Sequence, residues 1–209
     1  MLRNNGIFLY NSHMTTIYLI RHGQKHTHVG DPGLTEVGIK QAKQTGQYLS
    51  QFPISKIISS PTKRTIETAK NIVEIMDLEY SSDNDLIERM DWTDPNVTRN
   101  EFLQEWIKST NNRDYVPKYG DSSKSTGKRV SQLINKIADE HIVLVTHGGA
   151  ILDYLRNIFG DEKISKLRKQ YDEGEDYQMQ NCAINKIIID DQPTLELLNF
   201  VEHLFEFSE

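Results

Sequence analysis

The chain of 209 residues carries a single cysteine, Cys182, so an internal disulfide is excluded and the residue usage fits a reducing, cytoplasmic compartment. Long apolar runs are missing as well. Runs such as Ile17 to Ile20 and Ile142 to Val145 have the length of strands, far short of the ~20 residues that a membrane-spanning helix needs. Surplus positive charge is also absent. With 24 Lys and Arg against 30 Asp and Glu, the formal net charge is −6, which argues against a broad nucleic-acid-binding face or an electrostatic membrane anchor. An anionic ligand would have to be held locally, so the placement of a few arginines carries more information than the total. Before Met14 the apolar stretch Ile7 to Tyr10 is too short for a signal-peptide core. Residues 1–13 therefore read as an N-terminal extension outside the fold, with Met14 as an alternative start.

What is present is a globular composition, 37% hydrophobic and 26% charged. The length suits one α/β domain, 14–209, with a buried sheet. Thr15 to Ile20 is β-branched and apolar, reads as a fully buried strand, and ends abruptly in Arg21-His22-Gly23. A loop follows to Gly33, then a helix capped by Thr35 and running to about Phe52. Lys56 to Ser59 reads as a short strand, and Ser60-Pro61 as the start of a helix reaching about Met76. Between Glu79 and Tyr119 the pattern loosens around Trp92, Phe102, Trp106, Tyr115 and Tyr119, with one helix from Thr98 to about Ser109; this stretch, 79–120, is the candidate substrate cover. A helix from about Ser122 to Asp139 leads into a second buried strand, Ile142 to Thr146, ending in His147-Gly148-Gly149. A helix to about Phe159, a charged segment, and strands at Cys182 to Ile189 and Thr194 to Phe200 complete the chain. Strands alternating with helices predict a three-layer α/β/α sandwich around a mostly parallel sheet, with ligands at the carboxyl ends of its strands.

Two buried strands thus each deliver a histidine into the turn that opens toward the next helix, and in a parallel sheet those turns can be neighbours. Glycine after each histidine lets backbone approach a ligand, and the helix start at Gly148 offers unpaired N–H groups suited to phosphate. Arg21 adds a planar fork that matches phosphate oxygens. His22, His26 and His28 lie in one loop but have no supporting cysteine or carboxylate spacing, so neither a metal nor a cofactor is expected.

Five blocks carry a resemblance: Leu19-Ile20-Arg21-His22-Gly23; Leu34-Thr35-Glu36-Val37-Gly38 with Gln41-Ala42; Ser59-Ser60-Pro61-Thr62-Lys63-Arg64-Thr65-Ile66-Glu67-Thr68-Ala69; Leu86-Ile87-Glu88; and Val145-Thr146-His147-Gly148-Gly149. In this order and over positions 19 to 149 the chain resembles the histidine phosphatase superfamily, which includes the phosphoglycerate mutases. The resemblance implies a phosphoglycerate mutase-like fold and three catalytic groups. His22 would be the nucleophile that forms a phosphohistidine, Glu88 the general acid and base, and His147, with Arg21 and Arg64, a clamp on the phosphoryl oxygens. Gly148 and Gln24 are further candidate phosphate contacts. Taken alone, Arg64 near a helix start would be a solvated cation, and Glu67 a helix-surface group.

The chain departs from its relatives in two places. Where many continue Arg-His-Gly with x-Thr-x-x-Asn, Lys25 and His28 stand here, leaving one phosphate contact to Gln24, Lys25 or His28. Where relatives show Gly-x-Trp-Glu-Gly after the acid, this chain has Arg89-Met90-Asp91-Trp92-Thr93-Asp94. A mutase must also shelter its phosphoenzyme under a longer closing segment, so the short chain favours net hydrolysis of a small phosphorylated metabolite. The alternatives are a phosphoglycerate-type mutase and a non-catalytic phosphate- or phosphoprotein-binding module. Arg99, Arg113 and Lys118 in the cover would suit a second anionic group on the substrate, although exposed cations are more often solvated. The expected partners are the substrate and at most a second copy in a homodimer, with no nucleic acid and no membrane.

Overall fold

A computed structural model describes residues 14–137, 141–171 and 179–206; the expected extension at 1–13 lies outside them. Six strands form one sheet: β1 (Thr15–Arg21), β2 (Lys56–Ser59), β3 (Tyr80–Ser82), β4 (His141–Thr146), β5 (Ile184–Ile189) and β6 (Thr194–Phe200), in the order β3-β2-β4-β1-β5-β6. β1, β2, β3 and β4 run parallel, and β5 and β6 extend the sheet antiparallel.

The apolar runs at β1 and β4 exist because both sheet faces are covered. Side chains alternate along a strand, so Ile17, Leu19, Ile142 and Leu144 pack on one face against Val130, Leu133, Ile151 and Tyr154. These last come from α4 (Ser123–Ile134) and α5 (Gly148–Phe159). Tyr18, Ile20, Val143 and Val145 face the other way, against Leu49, Ala69 and Ile72. That layer is built by α1 (Glu36–Leu49) and α2 (Lys63–Met76). The result is the expected three-layer α/β/α sandwich. The parallel register pairs Ile20 with Val145 and Arg21 with Thr146, and the His22 N–H extends the ladder to the Thr146 carbonyl at 3.0 Å.

Several boundaries differ from the sequence reading. α2 begins at Lys63 rather than at Ser60-Pro61: Thr62 is the N-cap residue but makes no side-chain cap bond. The cap comes from a distant loop, where the Asp31 carboxylate accepts the Lys63 N–H at 2.8 Å. α3 (Arg99–Asn111) starts as expected, because Thr98 and Glu101 form a reciprocal capping box. α4 stops at Ile134, before Asp139, which lies outside the described residues. The charged segment after Phe159 is helical as α6 (Asp161–Tyr171), with Ile164 buried against the core; its continuation at 172–176 is outside the described residues. β5 begins at Ile184, not Cys182, because Cys182 turns through a left-handed φ of 54°. A short α7 (His203–Glu206) packs against α1, where the buried His203 Nε2 meets Thr45 Oγ1 at 3.0 Å. Among the described residues no helix is long and apolar enough to cross a membrane.

Leu144 is fully buried on a central strand, whereas Leu103 is 36% exposed. Leu144→Ala should lower unfolding stability by about 2–5 kcal/mol and Leu103→Ala by less than about 1 kcal/mol. Urea titrations read this as a shifted midpoint with unchanged slope for Leu144→Ala; equal midpoints for the two variants would contradict the core assignment.

Candidate active site

At the carboxyl edge of the sheet, the turns after β1, β2 and β4 are stitched together. The Ser60 N–H reaches the Val145 carbonyl at 2.8 Å, and the Gly23 N–H reaches Thr68 Oγ1 on α2 at 3.0 Å. Glycine is required at Gly23, since a Cβ there would stand 2.6 Å from the Gly38 carbonyl oxygen. A cavity of about 420 Å3 opens over this edge, lined by Arg21, His22, Lys25, Arg64, Glu88 and Gly148 among others.

His22 is buried, and its Nδ1 lies 2.8 Å from its neighbour Gly23's carbonyl oxygen. A carbonyl only accepts, so Nδ1 carries the proton and the Nε2 lone pair is left free. Burial, followed by the charges of Arg21 and Arg64, holds the imidazole well below its ordinary pKa, so it stays neutral.

His147 is fully buried and does not line the cavity. Its Nδ1 accepts from Arg64 Nη2 at 3.1 Å, and its Nε2–H therefore donates to Ser60 Oγ at 2.9 Å. The two imidazoles lie edge to face, with centroids 5.4 Å apart. Here His147 touches the site through Arg64. That guanidinium also donates to Asp91 Oδ1 at 2.6 Å and Asp31 Oδ1 at 3.3 Å, so two carboxylates engage the cation for which the resemblance implies a phosphate contact.

Glu88 follows the 3-10 turn Asn84–Leu86. Its carboxylate accepts the N–H groups of Arg89, Gly149 and Ala150 at 2.8, 3.1 and 2.9 Å. The N-terminus of α5, expected to face phosphate, thus spends two of its amides on Glu88, and the Gly148 N–H has no partner among the described residues. Despite those amides, burial pushes the Glu88 carboxyl above its usual range, with Asp91 adding to the rise. Gly149 has no room for a side chain: a Cβ would stand 2.5 Å from Glu88 Oε1 and 2.7 Å from Trp106.

Arg21, His22, Arg64, Glu88 and Gly148 therefore converge on one cavity, with His147 directly behind. Gln24 does not join them; it is exposed, and its Oε1 accepts from Thr35 Oγ1 at 2.8 Å. His28 is also exposed and bonds to the Val29 carbonyl. Of the three residues left open for the missing asparagine contact, Lys25 lines the cavity. Its ammonium is held below its ordinary pKa by burial and by Arg64. Among the described residues no group of three or more His, Cys, Asp or Glu is placed to hold a metal ion.

Sequence reasoning missed the groups that hold Glu88 in place. Arg129 on α4 donates to the Asp85 and Glu88 carbonyls at 2.7 and 3.2 Å, and Thr146 Oγ1 donates to the Leu86 carbonyl at 2.6 Å. It also missed Arg89, 1% exposed, whose guanidinium lies 4.1 Å from the Trp106 ring centroid and donates to Thr110 Oγ1 at 2.8 Å. No local signal separates these cations and hydroxyls from surface ones. Glu67 accepts the Leu34 N–H at 2.6 Å and so fastens the loop after His22 to α2.

The family model of the histidine phosphatase superfamily, branch 1, matches residues 17–200, and the chain belongs to that family. A phosphoserine phosphatase 1 of Hydrogenobacter thermophilus is 31% identical over 153 residues, 64% of this chain and 71% of the relative. A probable phosphoglycerate mutase of Proteus mirabilis is 25% identical over 93% of this chain and 97% of its own. In fold, a mycobacterial glucosyl-3-phosphoglycerate phosphatase superposes with a TM-score of 0.73 at 19% identity, covering 90% of this chain and all of its own. A phosphoglycerate mutase of Bacillus anthracis gives 0.70 at 18% identity, covering 93% and 97%.

Asp91 accepts from the Arg64 guanidinium, so a phosphate placed there would compete with a carboxylate for the same Nη2. Asp91→Asn should tighten binding of inorganic phosphate by about tenfold, read by calorimetry. Weaker binding in the variant would mean that Asp91 orients Arg64 rather than competing for it.

Proposed function

We propose that the chain is a metal-independent phosphomonoesterase acting on a small phosphorylated metabolite, with His22 as nucleophile. The observation that carries this reading is the hydrogen bond from His22 Nδ1 to the Gly23 carbonyl, which leaves a neutral Nε2 lone pair beside Arg21, Arg64 and Lys25. In the first step Nε2 attacks phosphorus as the P–O bond to the leaving group breaks, and protonated Glu88 gives its proton to the departing oxygen. In the second, water attacks the phosphohistidine, Glu88 takes the water proton, and phosphate leaves with His22 restored. Arg21, Arg64 and Lys25 stabilise charge on the equatorial oxygens. His147, whose Nδ1 accepts from Arg64, holds that guanidinium in place. Hydrolysis is favoured over a phosphoglycerate-type mutase by Asp91, whose charge beside Arg64 opposes a second anionic group on the substrate.

His22→Ala should abolish phosphate release while wild-type activity persists in EDTA, and a brief quench should trap an acid-labile, alkali-stable phosphoenzyme on the wild type. Loss of activity in EDTA would sink the metal-independent mechanism. Isomerisation of a phosphoglycerate without free phosphate would make the enzyme a mutase.

The pH dependence follows from the two shifts. His22, pushed down, is neutral well into the acid range, and Glu88, pushed up, stays protonated further toward neutrality than an ordinary glutamate. Cleavage of an alkyl phosphate should therefore fall as pH rises through the Glu88 value. Glu88→Gln should slow it by about 10²–10⁴-fold. With 4-nitrophenyl phosphate, whose leaving group needs no proton, that variant should give a stoichiometric burst followed by slow turnover. Equal slowing of both substrates with no burst would remove Glu88 from the acid role.

A further inference from the structure

The cavity has two chemically distinct walls. Arg21, Arg64 and Lys25 line the cavity together with the nucleophile His22. The other lining side chains include the apolar Trp92, Phe102, Leu103, Trp106 and Leu152. The rings form a continuous shelf: Trp92 stacks on Phe102 with centroids 6.2 Å apart at 22°, and Phe102 meets Trp106 at 6.4 Å and 30°. Tyr119 backs Phe102 at 6.4 Å and 25°, fixing the shelf from behind.

Among the described residues this wall offers no unengaged cation. Arg89 lies flat on Trp106 and donates to Thr110 and to the buried Asp153 at 3.4 Å. Arg113 is turned away to Asp161, Ser123 and Asn157, and Arg99 and Lys118, both exposed, do not line the cavity. The expectation of a second anionic group bound by these cations is therefore not supported by their positions. A carboxylate on the substrate would instead meet aromatic faces and the Asp91 charge, with no partner to offset its desolvation.

Resting on the phosphatase reading above, we infer that the substrate is a small aryl phosphate, a phosphomonoester whose uncharged leaving group is a single aromatic ring seated on the Trp92–Phe102–Trp106 shelf. Aromatic faces bind a planar ring through offset stacking and area burial together. A volume of about 420 Å3 lies toward the small end of ligand sites, enough for a phosphoryl group and one ring.

Binding of two non-hydrolysable phosphonates to the full-length protein, measured by calorimetry, tests this without any turnover. Benzylphosphonate should bind at least about tenfold more tightly than 3-phosphonopropionate. That ratio should collapse toward one in Phe102→Ala and in Trp106→Ala; two variants are used because Trp106 also covers Arg89. Equal or inverted affinities in the wild type, no binding of either compound, or an unchanged ratio in both variants would overturn the inference. So would a peptide carrying the phosphonate analogue of phosphotyrosine that binds more than about tenfold tighter than benzylphosphonate, since the ring would then belong to a protein partner. If the phosphonates bind as expected but no phosphomonoester is turned over, the phosphatase reading fails and the shelf specificity stands. If turnover is found without the preference, the aryl inference fails alone.

Discussion

The parallel pairing of β1 with β4 is the constraint on which the rest of the site depends. Strands in register at Arg21 and Thr146 must deliver the next residues, His22 and His147, side by side at one edge of the sheet. Burial on both faces pins that register, because a slip of one residue would turn every apolar side chain of β1 toward the wrong layer. The histidine positions thus draw their precision from the whole core. α2 then brings Arg64 against His147, and Gly149 at the start of α5 makes room for Glu88.

Electrostatics give the site its second layer of organisation. Burying several cations together is unfavourable unless each finds a counter-charge or hydrogen bonds. Arg64 has Asp31 and Asp91, Arg89 has Asp153 and Thr110, and Arg21 donates to the Met179 carbonyl. The same crowding keeps His22 and His147 neutral. Burial also pushes the Asp153 carboxyl up to about 6 in spite of Arg89. Perturbed groups concentrated at one cavity mark a functional site more reliably than any one of them alone. Arg89 connects the two walls, since it follows Glu88 in sequence and supports Trp106 from below.

The aromatic cover shows where the pattern in the sequence ends. Between Glu79 and Tyr119 the helix expected from Thr98 to about Ser109 is present as α3, and the Thr98–Glu101 capping box seen in the structure fixes its start. That Trp92, Phe102 and Trp106 form one shelf was not readable, because the rings come from a loop and a helix whose packing is set by remote contacts. Glu105 illustrates this: buried on α3, it accepts from Tyr115, Lys108 and the Lys118 N–H, and these bonds hold its carboxyl down at about 2. The reading of Gln24 as a phosphate contact had the same weakness. Proximity in sequence to His22 says nothing about direction, and the turn that seats Thr35 as N-cap points Gln24 outward while Lys25 lines the cavity.

By itself the sequence determined the layered α/β fold and the two strand-to-histidine junctions, and its resemblance to the family put Arg64 and Glu88 forward as site residues. Local periodicity and short ordered motifs report on which backbone segments are buried and where they end. Tertiary structure alone decided that Asp31 caps α2, that Asp91 competes for Arg64, that Arg129 and Thr146 hold the Glu88 segment, and that Arg113 is committed elsewhere. The physical reason is common to all four. Each is a polar contact between residues at least 20 positions apart, and a single charged or hydroxyl side chain has the same local signature whether it faces solvent, a partner or a substrate.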